Sequence, residues 1–338
     1  RMGGAKVTIK DVARLAGVSP MTASRVVNRT GNVNEDAVSR VLEAVSTLGY
    51  IRNSAAGSLR AANPNSWTIG LILNDVGNAF SAELHRAIED VARSRGSLVL
   101  TASTDDDTEH MATLVDEFWS RQIDGLLLAP PPGEQRYLEP SIRRKERVVL
   151  VDRPAVGVPL PSVMSDGHAG IRDAVRHLVE HGHRRIAYLS DIRSDAMRSR
   201  FEGYVDGMLE ASLDVSPALS ITGVETPQEA RDAVTQLLDR NDAPTAIITG
   251  RNSITLGAVR ALRELGRQHH TALIGFDDLD LAPELDPGLT VVAQDPKKMG
   301  TLAAEMLFEQ LDGDALASHS VMLQTVLIPR GSGEIRPV

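Results

Sequence analysis

Between Ser19 and Asn28 the chain concentrates side chains that can read a duplex. Met21, Thr22, Ser24, Arg25 and Asn28 fall on one side of a helical pattern, with Ala23, Val26 and Val27 on the other. Hydroxyls and carboxamides of this size hydrogen-bond to phosphate oxygens or base edges. An arginine fork fits O6 and N7 of guanine. Short polar residues around one arginine are what a helix needs to lie in a major groove.

Two further helices must hold that one in place. Thr8 opens the first as a cap, with Asp11 three residues on as its reciprocal partner. Val12, Ala13, Leu15 and Ala16 supply its apolar face, and Gly17 suits a turn at positive φ. Ser19 caps the second helix, and Pro20 takes its first position, where a missing N–H costs nothing. Residues 8–28 therefore read as a helix-turn-helix. After a turn-rich loop, Asn34 caps a third helix whose first turn holds Glu35 and Asp36. Val38, Val41, Leu42, Val45 and Leu48 recur at helical spacing and close a three-helix core before Gly49. Residues 53–59 predict one or two more turns, capped by Asn53, with Gly57 costing about 1 kcal/mol relative to alanine. So short a helix orders only with a partner. A polar linker over 60–66 follows.

Charge separates this head from the rest. Residues 1–62 hold nine Lys/Arg against four Asp/Glu, whereas the remainder of the 338-residue chain holds 27 against 41. A basic head on an acidic body fits one segment that meets phosphates and another that does not. The length allows two or three domains. With no cysteine, disulfides and thiolate zinc sites are excluded. No apolar run approaches the roughly 18 residues of a membrane span and no leader pattern opens the chain. A cytoplasmic protein without membrane contact is expected. No constellation asks for a metal or an organic cofactor.

From Trp67 onward strands alternate with helices. Residues 67–73, 97–103, 125–129 and 148–151 read as strands, with amphipathic helices over 81–95 and 107–121. A second series begins near residue 162, with strands near 185–190, 245–250 and 271–276. Buried runs alternating with helices imply doubly wound parallel sheets of the α/β class. Two such series imply two similar subdomains with a cleft between them. In these sheets ligands sit at the carboxyl ends of the strands.

Taken together, the chain resembles the lactose/galactose-repressor family of bacterial transcription regulators over essentially its whole length. TIKDVARLAGVSPMTASRVVN at 8–28 is similar to the family's head signature, and NSAAGSL at 53–59 to its hinge helix. HLVEHGHRRIAYLS at 177–190 resembles the entry to the second subdomain, and GFDD at 275–278 with LTVVAQDP at 289–296 its closing segments. The resemblance implies a helix-turn-helix headpiece over 1–52, a hinge helix and linker over 53–66, and a periplasmic-binding-protein-like core over 67–338. That core would divide into a subdomain of about 67–161 with 295–322 and another of about 162–294 with 323–338. It also implies a sequence-specific DNA-binding regulator, expected to be a repressor, acting as a homodimer on near-palindromic operator DNA. A small-molecule effector, a sugar or related metabolite, would control it.

Carried over residue by residue, base reading falls to Pro20, Met21 and Arg25, and phosphate contact to Ser19, Thr22, Ser24, Asn28 and Asn32. Pro20 and Met21 offer no side-chain donor, so they would read shape or a thymine methyl. In the hinge, Asn53 caps while Ala56 and Leu59 match positions that enter the minor groove, Leu59 as a wedge between bases. Gly57 departs from the helix-favouring residues expected there. Phe80, Asp152, Arg200, Arg251 and Asp277 match effector-contacting positions. Carboxylates and a guanidinium can hold adjacent hydroxyls, and an aromatic ring can cover a sugar's apolar face. Arg251 departs from the commoner asparagine: it favours an anionic effector or pairs internally with Asp277.

Two rival classes fare worse. A catalytic chain would be expected to show a P-loop, a GxSxG or a GxGxxG after a strand, and none is present. Asp277 and Asp278 look like an acid pair, but sequence neighbours in a strand face opposite ways. His177, His181 and His183 sit near a helix end, where a structural role is expected. A solute carrier would share the core but needs no basic head.

Overall fold

The computed structural model describes residues 7–28, 30–50, 66–313 and 320–337. The chain separates into two units, residues 1–66 and 67–338. In the first, helices α1 (Ile9–Ala16), α2 (Pro20–Asn28) and α3 (Glu35–Leu48) follow the predicted caps. Thr8 donates its backbone N–H to Asp11 Oδ2 at 3.0 Å and its hydroxyl at 2.7 Å. These bonds, the hydroxyl first, hold the Asp11 carboxyl below its ordinary value. Gly17 turns at φ 63°, and Val18 N–H closes the helix end on Ala13 O. Ser19 Oγ accepts from Thr22 N–H at 3.1 Å, and Asn34 Oδ1 from Asp36 N–H at 2.9 Å.

Val12, Ala13, Ala16, Ala23, Val26, Val41 and Ala44 form the buried centre of this unit. Leu15 and Leu42, expected inside, are 53% and 54% exposed. Each lies more than 100° around its helix from the middle of the buried face, given about 100° per residue. Apolar type alone placed them wrongly; the phase of the helix decides.

The second unit opens with β1 (Thr68–Leu73), α4 (Ala79–Ser94), β2 (Leu98–Ser103), α5 (Thr108–Ser120), β3 (Gly125–Leu128), α6 (Glu139–Arg143), β4 (Val148–Val151) and β5 (Ser162–Ser165). There follow α7 (Gly167–Glu180), β6 (Ile186–Leu189), α8 (Asp195–Glu210), β7 (Ser220–Ile221), α9 (Pro227–Leu238), β8 (Ala246–Thr249), α10 (Asn252–Glu264), β9 (Ala272–Phe276) and β10 (Thr290–Ala293). α11 (Pro296–Asp312), β11 (Val321–Leu323) and β12 (Val326–Ile328) complete it. One sheet runs β11-β5-β4-β3-β1-β2 and the other β12-β10-β9-β8-β6-β7. Position for position the two orders are the same, so β4 corresponds to β9 and β1 to β6. All pairs are parallel except β10 with β12. Central strands β3, β4, β8 and β9 are buried along their whole length, as strands covered on both faces must be.

The chain crosses between these lobes three times, after β5, after β10 and after β11. The first crossing falls after Ser165, not near residue 162, because β5 pairs with β4 and β11 and so belongs to the first lobe. Asp166 N–H donates to Leu323 O at 2.8 Å, tying the first and third crossings together.

Candidate functional site

Asp152 directly follows β4 and Asp277 directly follows β9, the same place in each lobe. Both are left-handed, at φ 65° and 70°. Each donates its backbone N–H at 2.9 Å to the neighbouring strand, Asp152 to Val163 O and Asp277 to Val292 O. The fold thus presents one carboxylate from each sheet at the carboxyl ends of its strands. Between the lobes lies a cavity of about 510 Å³, and Phe80, Asp152, Arg200, Arg251 and Asp277 all line it.

Arg200 is the buried cation of this cavity, 5% exposed. Its Nη1 donates to Gly250 O at 2.8 Å and its Cζ lies 3.6 Å from the centroid of the Phe276 ring. Close packing of α7 against α8 puts it there. A Cβ on Gly203 would come within 2.3 Å of His168 O, so only glycine permits this approach. Burial lowers the Arg200 pKa, against the pull of Asp277 and Asp152. Burial likewise raises the Asp277 carboxyl, although Arg200 and the Gln294 amide, 2.6 Å from Oδ1, pull it down.

The remaining cavity arginines are already paired. Arg251 donates from Nη1 to Asp191 Oδ2 at 2.9 Å, so its internal partner is Asp191 and not Asp277. By strand register both Asp191, past β6, and Asp277, past β9, stand level with Arg251, but Asp277 Oδ1 is taken by the Gln294 amide and its charge is met by Arg200. Arg193 pairs with Glu225 at 2.7 Å, and Arg153 with Asp106, whose other oxygen accepts from Asn74 at 2.8 Å. Burial depresses Arg153, but the hydrogen bond and charge of Asp106 outweigh it. Seven carboxylates line the cavity against four guanidinium groups.

Sequence reasoning missed Asn74, Asn78, Asp106, Arg153, Asp191, Asn252 and Gln294 as lining residues. Some of these carried a usable signal. Asn74 and Gln294 each directly follow a strand, the place where ligands meet such sheets. Asp278, in contrast, turns away and takes Arg330 at 2.6 and 2.7 Å. His183 is buried between Thr245 Oγ1 and Ile335 O, at 2.8 and 2.6 Å, and His177 holds Glu334 at 2.5 Å. Their place is structural. Among the described residues no group of three or more His, Cys, Asp or Glu is arranged for a metal, and no helix is long and apolar enough to cross a membrane.

In the head, Ser19, Pro20, Met21, Arg25 and Asn32 are exposed, while Thr22, Ser24 and Asn28 are half-buried. Met21 is 66% exposed. Ser19 and Thr22 share a hydroxyl contact of 2.9 Å, and Asn28 Nδ2 donates to Ser24 Oγ at 3.1 Å. Arg25 makes no side-chain hydrogen bond or ion pair among the described residues. Asn53, Ala56 and Leu59 lie outside the described residues.

Residues 8–53 match the LacI family of bacterial regulatory proteins, and residues 175–333 match the periplasmic binding protein-like domain. Catabolite control protein A of Priestia megaterium is 31% identical over 321 residues, 94% of this chain and 96% of that protein. The transcriptional regulator GalS of Salmonella typhimurium is 33% identical over 323 residues, 94% of each. The crystal structure of the lac repressor dimer bound to operator and the anti-inducer ONPF is 25% identical and covers 97% of this chain and 99% of its own, with a TM-score of 0.83. These relatives are transcription regulators. The chain belongs to the LacI family of bacterial regulatory proteins and is a DNA-binding transcription regulator, with a helix-turn-helix head and a two-lobed α/β core.

Proposed function

We propose that this regulator is a repressor controlled by an uncharged, hydroxyl-rich effector bound between the lobes. One observation carries the ligand class. Three of the four cavity arginines are neutralised by carboxylates of their own lobe, leaving buried Arg200 among Asp152 and Asp277. Carboxylates accept from vicinal hydroxyls, Arg200 donates to a ring or hydroxyl oxygen, and Phe80 covers an apolar face. An anionic effector is disfavoured, Arg251 included. At an effective dielectric of about 20, each like-charge pair about 6 Å apart costs roughly 3 kcal/mol. Two solved relatives support a sugar: a regulator CelR in complex with cellobiose, 26% identical with a TM-score of 0.72, and the lac repressor bound to ONPG, 25% identical with a TM-score of 0.83.

On DNA the chain would act as a homodimer on a near-palindromic operator. Arg25 is the free donor for a guanine, Pro20 and Met21 meet the groove floor, and the hydroxyls and carboxamides around them meet phosphates. Ala56 and Leu59 are assigned to the minor groove, with Asn53 as the cap of the hinge helix that carries them. The core serves binding, not catalysis, and the protein works in the cytoplasm, where the operator is. A melting-temperature screen of matched neutral sugars, amino sugars and sugar phosphates tests the effector class. Neutral hits that also shift operator affinity are expected. A phosphate ester as the tightest ligand would overturn it.

A further inference from the structure

The lobes are joined by three crossing segments, and chain connections of that kind leave a hinge free to bend. Outside them, one side-chain pair hydrogen-bonds lobe to lobe among the described residues. Asn78 Nδ2 donates to Asn252 Oδ1 at 3.0 Å, and Asn252 Nδ2 donates to Asn78 Oδ1 at 2.9 Å, across 174 positions of sequence. Asn78 caps α4, its Oδ1 also accepting from Phe80 N–H at 3.0 Å. Asn252 opens α10 and is 6% exposed. Both line the cavity. Each carboxamide here gives and takes one bond, which a carboxylate, lacking a donor, cannot do. Capping explains Asn78 alone; it does not explain Asn252.

We propose that Asn78 and Asn252 form a clasp that holds the two lobes together across the cavity. Its regulatory consequence, that the clasp sets the fraction of molecules poised for the effector, rests on the effector reading above. The clasp itself does not.

The chain has no cysteine, so two introduced ones label it uniquely. Asp116→Cys in α5 and Gln236→Cys in α9 are exposed sites, one on each lobe. Fluorescence transfer between dyes there, with labelled chains diluted into unlabelled ones, reports the lobe-to-lobe distance in the full protein. Asn252→Ala removes the clasp and leaves the α4 cap. Asn78→Ser keeps a capping oxygen but is too short to reach Asn252. Each is expected to shift and broaden the distance distribution, lowering the clasped-to-open ratio about thirtyfold, as loss of two neutral hydrogen bonds implies. The double variant should go no further than the single ones. Unchanged distributions in both single variants, or additive losses in the double, overturn the clasp. A lower melting temperature with unchanged lobe distances overturns it too, because the pair would then serve only local packing.

Discussion

The recognition helix and the interlobe cavity both depend on arginine, and they prepare it in opposite ways. Arg25 stands exposed on α2 with no side-chain partner among the described residues, in a head whose charge is positive. Arg200 is buried, stacked on Phe276 and bonded to Gly250, in a cavity where carboxylates outnumber guanidinium groups. A polyanionic duplex rewards free donors and supplies the counter-charge itself. A small uncharged ligand supplies none, so the cavity must balance its own charges before the ligand arrives. The same side chain is therefore cheap to remove from the head and costly to remove from the core.

That contrast is sharpest for Arg200→Met. It leaves Asp277 and Asp152 without their nearest buried cation, and breaking such an arrangement from one side costs about 3 kcal/mol. Urea unfolding of the full protein should show the loss, and the sugar-dependent melting shift should vanish with it. Unfolding at the parent's urea concentration would mean that Arg200 does not balance those carboxylates. Arg25→Ala is the counterpart. Stability should stay within about 0.5 kcal/mol, as for ordinary surface changes. Operator binding should weaken by about 1–3 kcal/mol, with preference relaxed at one base pair. Equal losses on operator and random duplex, in titrations at one salt concentration, would reduce Arg25 to a phosphate contact.

The two regions also differ in how far the sequence exposes them. Everything that places Arg25 lies within residues 8–49: Thr8 and Asp11, Gly17, Ser19, Asn34 and the apolar spacing, each legible because its physics is local. Even there Leu15 and Leu42 were misplaced, since a list of apolar residues carries no phase until one face is fixed by packing. In the core, alternation revealed the strands, and their ends revealed where a ligand would sit. Partners were another matter. Arg251 meets Asp191 across 60 positions and Asn78 meets Asn252 across 174, distances over which no local rule operates. Asp277 and Asp278 are adjacent, yet one faces the cavity and the other Arg330.

A smaller effect separates a site that strains the fold from one that does not. Burial makes the ionised Asp277 carboxylate costly, and its left-handed backbone is one that asparagine tolerates. Asp277→Asn should therefore raise stability by about 1 kcal/mol, since it removes a buried charge whose desolvation the Gln294 bond and Arg200 offset only in part, while impairing the sugar response. The gain should shrink on acidification: the native carboxyl, whose folded pKa is raised, takes up its proton earlier than in the unfolded chain and recovers stability by itself. A destabilised Asp277→Asn protein at neutral pH would show instead that the pull of Arg200 exceeds the cost of burial.

The smallest expected effect concerns a titratable ring in the core that does not face the cavity. Ile335 O can only accept, so His183 Nε2 must donate to it, while Nδ1 lies 2.8 Å from Thr245 Oγ1, whose single hydrogen can turn to the ring or to Arg185 O. Burial favours the neutral ring and lowers its pKa from the ordinary histidine value, opposed by the Ile335 bond and assisted by the nearby charge of His181. The sign follows from proton counting. As pH falls through about 6.5 the unfolded chain gains a proton that folded His183 refuses, so stability is full above that pH and declines below it. The decline should stay within the worth of a single hydrogen bond, roughly 1 kcal/mol. His183→Gln keeps a donor and an acceptor but cannot titrate. Its melting temperature should fall less steeply than the parent's between pH 7 and 5.5 (about the range where an unfolded histidine titrates), with the other eight histidines present in both proteins. Parallel slopes would mean that Arg330, Ser332 and Glu334 hold the tail over 330–337 whatever the charge of His183, and that the buried imidazole is only a wedge between β8 and the chain end.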